Sequence, residues 1–162
     1  MKHIISVIVE NKPGVLARVA GLFSRRGFNI ESLTVGVTED PTLSRMTIVS
    51  TGDDATLEQI IKQLHKLIDT IKVVDLPNDN SVKRELILIK VDINEKTRSE
   101  VVQISDIFRA KIVDVGKNSL TIEITGEEGK TEAFINLMNQ FGIKELVRTG
   151  KVALHRGEKT VM

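Results

Sequence analysis

The residues able to do chemistry are few and scattered. His3, His65 and His155 fall in separate predicted elements, with no carboxylate or second imidazole at a metal-ligand spacing. They read as surface or strand-end residues, and no metal site is expected. No Gly-x-Ser-x-Gly elbow occurs, and Ser24, Ser32 and Ser44 have no base whose placement the sequence predicts, so nucleophilic catalysis has no candidate. The absence of cysteine removes disulfides, thiolate chemistry and Cys-based zinc sites. Gly126-Glu127-Glu128-Gly129-Lys130-Thr131 ends like a phosphate-binding loop, but the first glycine of that motif would fall at Ile124 and two glutamates would face the phosphates. The run reads instead as a strand-to-helix turn whose acidic residues sit favourably near a helix N-terminus.

One loop has the chemistry to hold a ligand. Asn11-Lys12-Pro13-Gly14-Val15-Leu16 joins a β-rich run to a helical one, so the unpaired N–H groups of a helix start gather there. Those donors and the positive end of the helix dipole favour a carboxylate. Gly14 permits close backbone approach, and the Asn11 amide offers both a donor and an acceptor to a carboxylate or an ammonium group. The plain alternative is that Asn11 shapes the turn and Pro13-Gly14 only begins the helix.

The elements that must position this loop follow from periodicity. Ile4–Glu10 is strand-like; Val15, Leu16, Val19, Ala20, Leu22 and Phe23 make one apolar helical face, ended by Gly27. Phe28–Val37 and Leu43–Thr51 read as a hairpin across a polar loop, with a shift of apolar parity between Ile30 and Leu33 that predicts a bend. Asp53 or Asp54 caps a second helix, whose predicted inner face is Leu57, Ile60, Ile61, Leu64, Leu67 and Ile68, and Ile71–Leu76 closes the unit. The order βαββαβ is the ferredoxin-like arrangement.

The polar run Pro77-Asn78-Asp79-Asn80-Ser81 marks a boundary. Beyond it the order repeats: a strand over Glu85–Ile93, a helix over Thr97–Phe108, a hairpin of Lys111–Val115 and Ser119–Thr125, a helix over Thr131–Gln140, and a final strand within Ile143–Leu154. The expected organisation is α+β, with a first domain over 1–77, a linker over 78–83 and a second domain over 84–162. All candidate ligand residues precede the linker. Residues Met1 to about Asn80 are therefore expected to fold alone and to retain the binding site.

Bulk properties exclude other classes. Hydrophobic residues make up 41% and charged residues 28%, which suits a folded chain, and no apolar stretch approaches the length of a membrane span. The expectation is a cytoplasmic protein that uses no membrane. Net charge is +1, with basic and acidic residues balanced in both halves, so neither carries the footprint of a nucleic-acid binder. The βαββαβ order also occurs in RNA-recognition domains, which stack bases on strand aromatics. Here Trp and Tyr are absent, and Phe23, Phe28, Phe108, Phe134 and Phe141 all fall in or beside helices, where they read as core.

A family resemblance sharpens the reading. Asn11-Lys12-Pro13-Gly14-Val15-Leu16, Arg18-Val19-Ala20-Gly21-Leu22-Phe23 and Gly27-Phe28-Asn29-Ile30 resemble an ACT domain, a module that binds amino acids. The longer run Arg26–Val35, with Asp40–Ile48, resembles more narrowly the small regulatory subunits of acetolactate synthase; Phe108–Val115 and Thr125–Phe134 resemble their second domain. The resemblance implies a homodimer whose ACT domains pair edge to edge, with valine or a related branched-chain amino acid between them. Asn11, Gly14, Val15 and Leu16 of one chain would hold the carboxylate and amine, and Asn29 and Ile30 would arrive from the partner. It implies a non-catalytic subunit that activates a separate catalytic large subunit and mediates feedback inhibition. The thiamine diphosphate, magnesium and flavin belong to that subunit, and no cofactor is expected in this chain. The alternative from another class is a free-standing amino-acid sensor acting on some other enzyme or regulator.

Overall fold

Val15, Val19, Leu22 and Phe23 share one side of α1 (Val15–Arg26) and are all buried. Gly27 ends the helix in the left-handed conformation, φ 70°, that an L side chain resists. The second helix, α2 (Asp54–His65), is capped by Asp53, whose carboxylate accepts the Thr56 backbone N–H at 2.8 Å. Both helices cover one face of a four-stranded antiparallel sheet made by β1 (Lys2–Glu10), β2 (Ile30–Val37), β3 (Leu43–Thr51) and β4 (Thr70–Leu76), in the order β2-β3-β1-β4. Ile5, Val7 and Val9 of β1, Met46 and Ile48 of β3, and Ile60 and Leu64 of α2 close this core. Each such fully buried side chain contributes roughly 1.5–3 kcal/mol. The expected bend at the start of β2 is present: its register against β3 shifts between Ile30 and Ser32.

The computed structural model describes the whole chain, Met1–Met162. It forms two units, Met1–Val82 with Lys151–Met162, and Lys83–Gly150. In the second, β5 (Ser81–Asp92), α3 (Arg98–Ile107), β6 (Lys111–Val115), β7 (Ser119–Gly126), α4 (Glu128–Asn139) and β8 (Ile143–Arg148) repeat the βαββαβ order with the sheet β6-β7-β5-β8. The fold is α+β, ferredoxin-like and ACT-type. Its core gathers Ile87, Ile89, Val91, Ile122, Ile124, Phe134 and Met138. Phe23 packs edge-on against Phe28, and Phe108 against Phe134. Phe141 packs on the second core, so the phenylalanines are structural.

Three expectations differ from what the chain does. Ile68 is 90% exposed, because α2 stops at His65 and the chain turns before β4. The strand expected within Ile143–Leu154 is broken by Gly150, φ 91°, into β8 and a separate β9 (Val152–His155) that pairs with β5. Third, β5 begins at Ser81, inside the expected linker, and Lys151–Met162 belong with the first unit instead of the second. There Ala153 and Val161 are buried with Ile4, Ile8, Val49 and Leu76, on the sheet face opposite the helices. The first unit is thus discontinuous in sequence. A segment ending near Asn80 would leave that apolar face bare, which removes the ground for expecting it to stand alone.

Candidate functional site

The strand-to-helix turn is built tightly. Gly14 precedes α1 at φ 86° and ψ −10°, and its carbonyl accepts the Arg18 N–H at 3.0 Å. The Asn11 N–H donates to the Thr42 carbonyl at 2.8 Å, and the Asn11 side-chain amide donates to the Pro41 carbonyl at 3.0 Å. Asn11, an exposed residue, therefore both shapes the turn and ties it to the β2–β3 loop. That loop is itself ordered by Asp40, whose carboxylate accepts from the Thr42 N–H at 2.9 Å and the Thr42 hydroxyl at 2.7 Å. These bonds hold the Asp40 carboxyl below the usual carboxylate range. Val15 is only 3% exposed and belongs to the core, its N–H donating to the Lys12 carbonyl at 3.5 Å; Leu16 is 46% exposed beside it.

Beneath the turn lies an ion pair that sequence reasoning missed. Arg18 Nε donates to Asp69 at 2.7 Å, and Asp69 is buried. The Asp69 carbonyl also accepts the Glu10 N–H at 2.9 Å, so one residue anchors both β1 and the first turn of α1. A cation in a first helical turn is opposed by the dipole, and the buried carboxylate offsets that cost. A Cβ on Gly14 would lie 3.1 Å from Arg18 Nη1, so the guanidinium flanks the place where glycine leaves room. Fifty-one residues separate Arg18 from Asp69, and nothing local in the sequence joins them.

Asn29 and Ile30 are elsewhere. The Asn29 carbonyl accepts the Ser50 hydroxyl at 2.7 Å, Ile30 pairs with Ser50, and the Ile30 side chain packs half-buried against the first core. Thr42, just before β3, and Ser50, near its end, are eight residues apart, or about 26 Å at strand rise. Within one chain the structure brings Asn11, Gly14, Val15 and Leu16 together, and sets Asn29 and Ile30 at the far end of the sheet.

The remaining chemical candidates are structural. His3 bonds the Gly52 carbonyl at 3.2 Å, His65 is exposed and His155 is buried in β9. In the loop that ends like a phosphate-binding motif, Lys130 donates to the Thr125 carbonyl at 3.0 Å. Thr131 is fully buried, its hydroxyl donating back to the Glu127 and Glu128 carbonyls. No His, Asp and Glu side chains cluster in a way that could hold a metal ion, and no helix is long and apolar enough to cross a membrane.

Comparison with known proteins decides the family. Residues 84–157 match the family model for the small subunit of acetolactate synthase, and residues 5–72 match the small-subunit-like ACT domain of the same enzyme. The chain belongs to the acetolactate synthase small-subunit family. A probable acetolactate synthase small subunit of Archaeoglobus fulgidus is 65% identical over 98% of this chain and 99% of its own length. The acetolactate synthase small subunit of Haemophilus influenzae is 50% identical over the full length of both. The crystal structure of the small subunit from Thermotoga maritima superposes with a TM-score of 0.91 at 48% identity, covering 98% of this chain and 99% of that one. This small subunit is accordingly a regulatory one with an N-terminal ACT domain, and membership implies a catalytic subunit as its partner.

Proposed function

We propose that this small subunit binds valine, or a related branched-chain amino acid, between the ACT units of a homodimer. Its occupancy is passed to the catalytic large subunit, which the small subunit activates and makes subject to feedback inhibition. The observation that carries this reading is the separation of the two Asn-bearing groups to opposite ends of β3, together with the free edge of β2. Antiparallel pairing of two β2 edges about a two-fold axis sets Ile30 of one chain opposite the Val37 end of the other. Val37 leads directly into the loop that Asn11 holds at Pro41 and Thr42. Two half-sites then meet twice per dimer: Asn11, Gly14, Val15 and Leu16 from one chain, Asn29 and Ile30 from the other.

Each group has a fitting role. The N–H groups in the first turn of α1 take the carboxylate, the Asn11 amide oxygen accepts from the ammonium, and Leu16 offers an apolar wall. The thiamine diphosphate, magnesium and flavin belong to the catalytic subunit, and this chain binds none of them.

Reconstitution tests the proposal. The purified small subunit alone should turn over no pyruvate. Added to its catalytic subunit it should raise activity, and valine should then inhibit. Calorimetric titration of the small subunit with valine, leucine and isoleucine ranks the effectors, and the absence of binding by all three would reject the reading.

A further inference from the structure

The outer face of the ACT sheet is covered by the chain's own end. Along β1, Ile4, Ser6 and Ile8 point away from the helices, and the strand is buried on both sides. Lys151–Met162 supply the cover, through Ala153 and Val161. The same segment grips the two strands on which the proposed site depends. The Thr34 hydroxyl donates to the Lys151 carbonyl at 2.6 Å, the Lys151 N–H donates to the Ser32 hydroxyl at 3.0 Å, and Arg45 donates to the Ala153 carbonyl at 2.9 Å. Ser32 and Thr34 lie on β2, two and four residues beyond Ile30, and Arg45 lies on β3 opposite Gly36 of β2.

We infer that Lys151–Met162 form a strap that holds β2 in the position required for effector binding, so that release of the strap lowers effector affinity. The inference rests on the amino-acid-binding reading above and names the regulation of that site. Within its own chain β2 is paired on one side only, and its first residues are displaced by a bulge; side-chain bonds from the strap therefore supply order that the ladder to β3 lacks there. The strap is also suited to letting go. Ser6 Oγ on the covered face and His155 Nε2 in β9 are buried without a hydrogen-bond partner, and both oppose the apolar gain of docking. Because Gly150 and Lys151 are adjacent in the chain but belong to different units, the strap is a covalent lead from the second unit to β2. Ser32, Thr34, Arg45 and Val161 act as positioning residues and need not touch the effector.

The test uses full-length protein with its catalytic subunit. Val161→Asp places a charge in the covered apolar face, and Ser32→Ala with Thr34→Val removes two grips without disturbing the core; Val161→Ile serves as the conservative control. Amide hydrogen exchange reads β2 without any effector. Exchange at Ser32–Gly36 should quicken at least tenfold in both disrupted variants, and unchanged protection there would overturn the strap whether or not valine binds. Valine affinity by calorimetry should fall at least tenfold in both, with activation of the catalytic subunit in the absence of valine retained and Val161→Ile behaving as the parent. Parent-like affinity in both disrupted variants would overturn the inference. A parent chain that binds no branched-chain amino acid would instead reject the effector reading, leaving exchange to decide the strap.

Discussion

Asn11 and Asn29 stand at opposite ends of β3: the first bonds Pro41 and Thr42, just before the strand begins, and the second accepts from Ser50 near its end. No side-chain rotation brings them together within one chain. A site that uses both requires a second copy.

Mixed dimers measure that requirement. Asn11→Ala and Asn29→Ala should each weaken valine binding about 10- to 100-fold, the loss of a hydrogen bond to a charged group. Combined, each heterodimer has one site with both defects and one with neither, so about half its sites should bind as the parent does. Titration of purified heterodimers that restores no normal site would reject the shared-site model, while leaving amino-acid binding open within a subunit.

Gly14→Asp should abolish the valine response while valine-free activation persists. The substitution forces an L side chain into φ 86°, at a cost of about 1–2 kcal/mol, and sets a carboxylate where the effector's own must lie. Its Cβ also meets Arg18 Nη1 at 3.1 Å, so the new carboxylate can claim that guanidinium. Melting should fall by about 2–8 °C at this chain length. A full valine titration by Gly14→Asp would place the site elsewhere.

Ser6→Ala should stabilise the protein. Ser6 Oγ is buried on the outer face without a partner, and a methyl group there removes an unmet hydroxyl worth about 1–3 kcal/mol. Thermal melting should rise by at least about 2 °C, and a lowered midpoint would mean that the hydroxyl is bonded in solution.

Acid should loosen the loop that backs Asn11. The folded Asp40 carboxyl is held below its ordinary value of 3.8, so the stability it contributes is complete above pH 3.8 and is lost as pH falls through the depressed value. Side-chain carbon chemical shifts should show an Asp40 midpoint below 3.8, and Thr42→Val, which deletes the hydroxyl donor, should move it upward. An unchanged midpoint in that variant would remove the hydroxyl from the cause.

Much of the fold is local and was readable as such. The helices α1 and α2 follow from apolar spacing, Gly27 and Asp53 end and cap them by chemistry that acts within four residues, and the bend before Ser32 was visible as a shift of parity. The turn at Asn11–Leu16 was legible for the same reason, as a Pro-Gly helix start after a strand. Ile68 departs from the helical reading because its spacing continues the apolar pattern past His65, where the chain turns away. The run Ile4-Ile5-Ser6-Val7-Ile8-Val9 is nearly continuous in apolar residues, the mark of a strand covered on both faces.

Tertiary structure alone decided what does the covering and which groups stand together. Lys151 meets Ser32 and Thr34 across 119 and 117 residues, and Arg18 meets Asp69 across 51; no periodicity or turn preference carries information over such distances. A sequence pattern reports which face of an element is apolar, because that depends on neighbours three or four positions away. Which distant segment fills that face depends on the whole set of strands competing for it, and only the assembled sheet, with β2 left at its edge, determines that the two Asn-bearing groups cannot serve one ligand in one chain.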